Sequence, residues 1–472
     1  MPVRSEAVRS IVVLLVLAVS LVMAVGSRLY SVGFYWWLAI FRPQDWVFID
    51  ISALNISLLA GLIVIVGCLL TGNLPQISGL PTALMIVMLL LLVLASEING
   101  CAPAWDWVDY FFRLTVVLLI TNRLIRDPRA FSIIVMVFGL SLGFYASKAG
   151  LSSILAGGTS QYGIANLTGS FTDSNGFAHG TAVLVFFMLA SAFSLHTVFG
   201  KYVADEHGAD NNIGRLMRYG IIGIALLSSF NVMSLGSRGS ALALAGGWFM
   251  FIAFRRGGLA RMFKLLPVAV VLALVVPLPQ GFEERIASVF ADEEEIDASA
   301  ASRPHLWSVA VLMAQSHPLG VGAQCYTSYY DRFDPSNGQF GKRKAVHSVH
   351  FQALANTGYA GALVWIVLAL ATTSLLLAVR RRSQHLALTL EQQKFLEINS
   401  SSLLCALAVF YVGGSFYNHM YVEYFWIIPV LAESLSRISL KMIADSGDRP
   451  ESSGRTGPDG GPRKFKSIYD RR

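Results

Sequence analysis

Residues Ala53–Leu70 read ALNISLLAGLIVIVGCLL, without a charged side chain from end to end. As a helix, about 18 such residues cross the ~30 Å hydrocarbon layer of a bilayer. No water reaches that layer, so the backbone must close its hydrogen bonds within the segment, as a helix does. Working outward, comparable apolar runs lie near 10–25, 53–71, 82–96, 108–121, 131–147, 176–195, 217–235, 239–256, 265–279, 359–379, 400–417 and 420–437. The pattern predicts an all-α polytopic membrane protein with about twelve transmembrane helices.

Composition points the same way. Charged residues make up 14% of the 472-residue chain and hydrophobic residues 54%, whereas globular domains carry about 25% charged residues. A soluble chain this apolar would expose patches it could not cover. Collagen, disordered, secreted disulfide-scaffold and nucleic-acid-binding classes are excluded. The 36 Lys+Arg against 29 Asp+Glu leave a net charge of +7, which in a membrane chain follows from Lys/Arg-rich cytoplasmic loops. The stretch Leu29–Phe41 holds Tyr30, Phe34, Tyr35, Trp36 and Trp37. It is too short and too aromatic for a further crossing and reads as an interfacial belt on or dipping into the outer surface. Arg4 and Arg9 precede the first run without a cleavage site after it, so that run reads as an anchor.

Orientation follows from the basic loops. Arg123, Arg126 and Arg129, then Arg255, Arg256, Arg261 and Lys264, then Arg380, Arg381 and Arg382 share one side of the twelve-span drawing. That side is cytoplasmic, and both termini fall on it. Residues 1–440 form one membrane domain, and 441–472, rich in Gly, Pro, Ser and charge, read as a disordered cytoplasmic tail. The opposite face carries Glu97–Trp107, Lys148–Asn175 and one large helical loop at about 280–350, acidic at Glu283, Glu284 and Asp292–Glu295 and basic at Lys342–Lys344. Cys101 and Cys325 both fall on this face, where a disulfide is geometrically conceivable but has no distance to support it. Cys68 and Cys405 lie in apolar runs and read as packing residues.

Three places could carry chemistry. Arg238 sits in the small-residue turn Ser237-Arg238-Gly239 at the outer face, where it either snorkels to headgroups or binds an anion. Arg303 opens an apolar-periodic stretch with Ser302 as a cap and Pro304 in the first turn, a helix N-terminus suited to phosphate. His347 and His350 precede the tenth span at i, i+3 spacing, with Lys342, Arg343 and Lys344 just upstream. They read either as interfacial histidines or as a base held neutral by cations. A metal reading is weaker, because no H-E-x-x-H motif or Cys/His cluster accompanies them. No Walker A motif and no outer-loop Asp-x-Asp occurs, so a pyrophosphate would be held by arginine forks. Glu423 near an outer end reads as the one acid in a span, which disfavours a proton-coupled transporter.

Together these motifs resemble the O-antigen ligase and polymerase superfamily. The resemblance runs over roughly 150–440 and rests on Ser237–Gly239, Arg303 with Trp307, His317–Gly322, and His347, Ser348, Phe351, Leu354, Gly358 and Gly361, with Gly169–Phe177 similar to an outer loop of the family. Asn356 stands where many members have an acid, a position read as structural. The resemblance implies a metal-independent, cofactor-free glycosyltransferase in the bacterial inner (cytoplasmic) membrane, active on its periplasmic side. Its donor would be a glycan on undecaprenyl pyrophosphate. Its acceptor would be the lipid A core for a ligase of lipopolysaccharide synthesis, or another glycan for a polymerase. Arg238 and Arg303 would hold pyrophosphate and His347 would be the base, with His350, Asp173, Asn175 and His419 around them. A flippase or exporter of a lipid-linked glycan is the reading from a different class.

Overall fold

The computed structural model describes residues 2–46, 54–158, 171, 173–204, 210–255, 258 and 302–447. Among them the chain is helical and forms no strand. The helices are α1 (Pro2–Gly26), α2 (Arg28–Ile40), α3 (Ile56–Leu70), α4 (Leu80–Asn99), α5 (Ala104–Leu124), α6 (Pro128–Leu155), α7 (Ser174–Phe193), α8 (Leu195–Phe199), α9 (Asn212–Ser234) and α10 (Arg238–Ala253). They continue as α11 (Arg303–Ser316), α12 (Tyr326–Phe333), α13 (Val349–Arg382), α14 (Leu390–Gly414) and α15 (Glu423–Gly447). Each apolar run read from sequence coincides with one of these, except 265–279, which lies outside the described residues, as do the acidic part of the long loop and 448–472. Among the described residues, six helices (α4, α6, α7, α9, α13 and α14) are long and apolar enough to cross a membrane. Residues 441–447, expected to begin a disordered tail, form the end of α15.

Helix α7 is the axis of the bundle. Every residue from Gly176 to Ala192 is buried, so this helix has no lipid- or water-facing stripe. It packs against α6, α9, α10 and α14. Gly139 of α6 makes the approach possible: a Cβ there would sit 2.8 Å from the Met188 backbone nitrogen. The first turn of α7 is held by Asp173, whose carboxylate accepts from Gly176 N–H at 2.8 Å.

The bundle has two ends. At one lie Asp106, Asp173, Gln324 and His419 around a cavity. At the other, Gln76 and Ser78 meet Asn122. Glu433, missed among the acids of the spans, is buried at this second end. Its carboxylate accepts from Thr82 N–H at 2.8 Å and from Asn122 Nδ2 at 3.2 Å, so it is a satisfied structural acid.

The aromatic stretch corrects the sequence reading. Helix α2 is not an interfacial belt: Trp36 is 0% exposed, and its indole N–H donates to Thr121 Oγ1 at 3.0 Å. It packs against α1, α3 and α6 and ends beside Arg42 at the cavity. Because α1 folds back along α2 and also meets the 3-10 turn Pro43–Trp46, the start of α1 lies at the cavity end.

The segment from Arg303 to Ser348 caps the cavity end. Helix α13 is broken at Gly358 (φ 64°). The carbonyls of Ala355 and Asn356 accept from Val321 N–H at 2.8 Å and Gly322 N–H at 3.2 Å, and Tyr359 N–H donates to Pro318 O at 3.1 Å. A Cβ on Gly358 would lie 1.9 Å from Pro318 O. The glycines of His317–Gly322 and Gly358 therefore dock the capping segment into the break. Cys101 and Cys325 form a disulfide with Cα atoms 5.7 Å apart, settling the pairing that sequence left open. Ala323 N–H on Ser96 Oγ (3.0 Å) and Asn99 Nδ2 on Gly320 O (2.9 Å) brace the same junction.

Candidate functional site

Arg238 and Arg303 are each the first residue of a helix, α10 and α11, and one ring joins them. Phe416, in the α14–α15 loop, carries the Arg303 guanidinium 5.1 Å from its centroid. It also presses on Gly239, where a Cβ would fall 2.5 Å from Phe416 Cδ2. The glycine of the Ser-Arg-Gly turn is thus required by a contact. Ser237 caps α10, and its hydroxyl and that of Ser240 both meet Tyr417 OH, which ties the turn to the same loop. Pro304 occupies the first turn of α11 as expected, but Ser302 makes no side-chain cap. Two helix N-termini, each bearing an arginine, converge here, an arrangement that attracts anions.

His347 lies just before α13 with φ +47°, a left-handed backbone that a non-glycine residue holds only when its surroundings impose it. The two histidines therefore do not share a helical face. His350 faces inward: Trp365 Nε1–H donates to its Nδ1 at 3.2 Å, and its Nε2 lies 3.0 Å from Tyr411 O. Both ring nitrogens are engaged between helices, so His350 is a packing residue with no lone pair left for a substrate proton. His347 keeps an open face at the mouth of the site. Its affinity for protons is lowered, first because the surrounding protein desolvates the imidazolium, then by Arg303 and Lys344, with Asp173 acting in the opposite direction. Of the three cations upstream, Lys344 contributes, and the larger charge effect comes from Arg303.

Asp173 and His419 line a cavity of about 570 Å³ together with Arg42, Asp106, Trp107 and Glu423. His419 has its protonation lowered by burial, opposed by Asp173 and reinforced by His347. Asp173, His347 and His419 thus interact electrostatically across the mouth. The His419 loop is fixed by Gln352, which donates to Gln324 Oε1 at 2.5 Å and accepts from Met420 N–H at 3.0 Å. Asn175 is exposed in the first turn of α7 and does not line the cavity. Asn356 donates to Tyr421 OH at 2.7 Å, a structural role.

Two features escaped the sequence reading. His179, 0% exposed in α7, lies under His419 with ring centroids 5.8 Å apart. A histidine inside an apolar run was the available signal. Tyr110 donates to Glu423 Oε1 at 2.6 Å, a pairing across distant spans with no local pattern. Among the described residues no group of three His, Cys, Asp or Glu side chains could hold a metal ion.

Two family models match the chain. Residues 8–191 match a family of unknown function (DUF5935), and residues 223–366 match the O-antigen ligase family. No curated protein matches. The site draws on both regions: Asp173 comes from the first, and Arg238, Arg303 and His347 come from the second. A ligase-family domain in a chain with several membrane-spanning helices is a multi-pass membrane enzyme of the ligase or polymerase type. Residues 223–366 are thus similar to the O-antigen ligase family.

Proposed function

We propose that this protein transfers a glycan from undecaprenyl pyrophosphate to an acceptor hydroxyl, on the periplasmic side of a bacterial inner membrane. The observation that carries the reading is the junction at Phe416. It brings Arg303 and the Ser237–Gly239 turn together while Arg303 also acts on His347. An anion site and a neutral base thereby stand side by side, as an acid–base group transfer requires and passive movement of a lipid does not.

In this reading Arg238 and Arg303 grip the pyrophosphate and stabilise the charge that grows on it as it leaves. Their planar forks suit paired phosphate oxygens. His347 accepts the proton of the hydroxyl as that oxygen attacks the anomeric carbon. One displacement inverts that centre. Lipid A core is the acceptor of a ligase and a lipid-linked glycan that of a polymerase; the residues above serve either. The Cys101–Cys325 bridge supports an extracytoplasmic location for this end, because disulfides persist in oxidising compartments. The basic loop Asn122–Arg129 at the other end supports the same orientation.

The test is turnover of the purified protein with a polyprenyl pyrophosphate-linked glycan and acceptor. Release of polyprenyl pyrophosphate in step with glycosylated acceptor supports transfer. Movement of the intact lipid across a bilayer without bond cleavage replaces it with transport.

A further inference from the structure

A transferase needs a place for the molecule that attacks, and the inference that follows rests on the transfer reading. The cavity beside His419 differs in charge from the arginine side. Asp106 and Asp173 bring two carboxylates against the one guanidinium of Arg42, and Glu423 is buried beneath them against Tyr110. Such walls repel a pyrophosphate. They also offer ring faces: Trp107 and Tyr421 have centroids 5.2 Å apart, and Trp107 and Tyr110 5.7 Å. Gln324 and Asn418 add amide donors and acceptors. The volume, about 570 Å³, falls in the ~300–1,000 Å³ range of small-ligand sites. Apolar ring faces, carboxylates and amides, without a cluster of cations, suit a molecule with C–H faces and many hydroxyls.

The walls are also built rather than incidental. Glu423 is held by Tyr110, and Gln324 by Gln352. Among the described non-glycine residues with left-handed backbone, Arg42 (φ 52°) and Gln324 (φ 57°) line this cavity and His347 borders its mouth. Strain of this kind persists where the surroundings impose it and gathers at ligand sites.

We propose that this cavity is the acceptor subsite. It takes the terminal sugar of an uncharged or amine-bearing glycan, with Trp107 under a ring face and Asp106 and Asp173 accepting from hydroxyls, and presents one hydroxyl toward His347. Acceptors ending in an acidic or phosphorylated sugar are disfavoured. In the transfer the hydroxyl oxygen forms a bond to the anomeric carbon and its proton passes to His347. The bond from that carbon to the pyrophosphate oxygen breaks, and its electron pair leaves with the pyrophosphate.

The test uses the full chain in nanodiscs and saturation-transfer NMR with methyl glucoside, methyl glucosaminide and methyl glucuronide. The first two should bind, the glucuronide about tenfold or more weakly, a difference of ~1.4 kcal/mol. Inorganic pyrophosphate should not displace them. Trp107→Ala and the near-isosteric Asp106→Asn should each weaken binding several-fold. In steady-state transfer, Asp106→Asn should raise the acceptor KM and leave the donor KM unchanged. Glucuronide binding as well as glucoside, displacement by pyrophosphate, unchanged binding in both variants, or a rise in donor KM instead would overturn the proposal. Sugar binding in a protein that never releases polyprenyl pyrophosphate would sink the transfer reading and leave a sugar site standing, so the two failures are distinguishable.

Discussion

The guanidinium of Arg303 lies over the ring of Phe416, 5.1 Å from its centroid, and that ring also presses on Gly239. The proposed anion site is therefore assembled by a side chain with no chemistry of its own. Gly239→Ala would push Phe416 aside and shift Arg303 with it. A displacement of about 1 Å can cost on the order of 10²-fold in rate. Transfer should fall by that order while thermal unfolding changes little. Full activity in Gly239→Ala would mean that the junction does not set the position of the arginine.

Arg238→Lys should impair transfer nearly as badly as Arg238→Ala, and Arg303→Lys likewise. Lysine keeps the charge but loses the planar fork, and at Arg303 also the ring stacking. Initial rates at saturating acceptor measure this. Retention of most activity in Arg238→Lys would mark a snorkelling or purely electrostatic residue.

The pH profile has a worked sign. A base acts when neutral, so activity is lost as pH falls through the pKa of His347. That pKa is lowered, which places the acid limb of kcat/KM below the usual histidine value of about 6.5. Lys344→Ala removes a cation that lowers it, so the limb should move to higher pH. Asp173→Asn removes an anion that raises it, so the limb should move to lower pH. Shifts in the opposite directions, read from kcat/KM against pH, would show that another group titrates.

Sidedness can be read by reporter fusions. A fusion at the N-terminus should report the same side as one at Ser336, and a fusion at Ser383 the opposite side. This follows from the packing of α1 on α2 and on the turn Pro43–Trp46. An N-terminal signal matching Ser383 would restore the sidedness drawn from sequence alone.

Hydrophobic runs made the helices legible, because hydrocarbon requires about 18 apolar residues and imposes helix on them. The same length rule hid α2, whose 13 residues are sheltered by α1, α3 and α6 rather than facing lipid throughout. Arg238, Arg303 and His347 were legible as unusual groups at an outer face. Their assembly was not, since Phe416 and Gly239 become neighbours only through tertiary packing. Nor does sequence show the left-handed backbone at His347 or the distance between Cys101 and Cys325. The i, i+3 spacing misled for His350, because the helix starts at Val349 and separates the two rings.

The most direct measurement is single-turnover transfer and donor binding compared in His347→Ala and His350→Ala. The loss of a general base is typically on the order of 10²–10⁴-fold. His347→Ala should lose transfer by that order and still bind donor through Arg238 and Arg303. His350→Ala, which frees Trp365 Nε1 and Tyr411 O, should unfold at lower temperature yet keep the chemical step. A dead His350→Ala that still binds donor beside an active His347→Ala would contradict the account and move the base to another group at the mouth, His419 foremost.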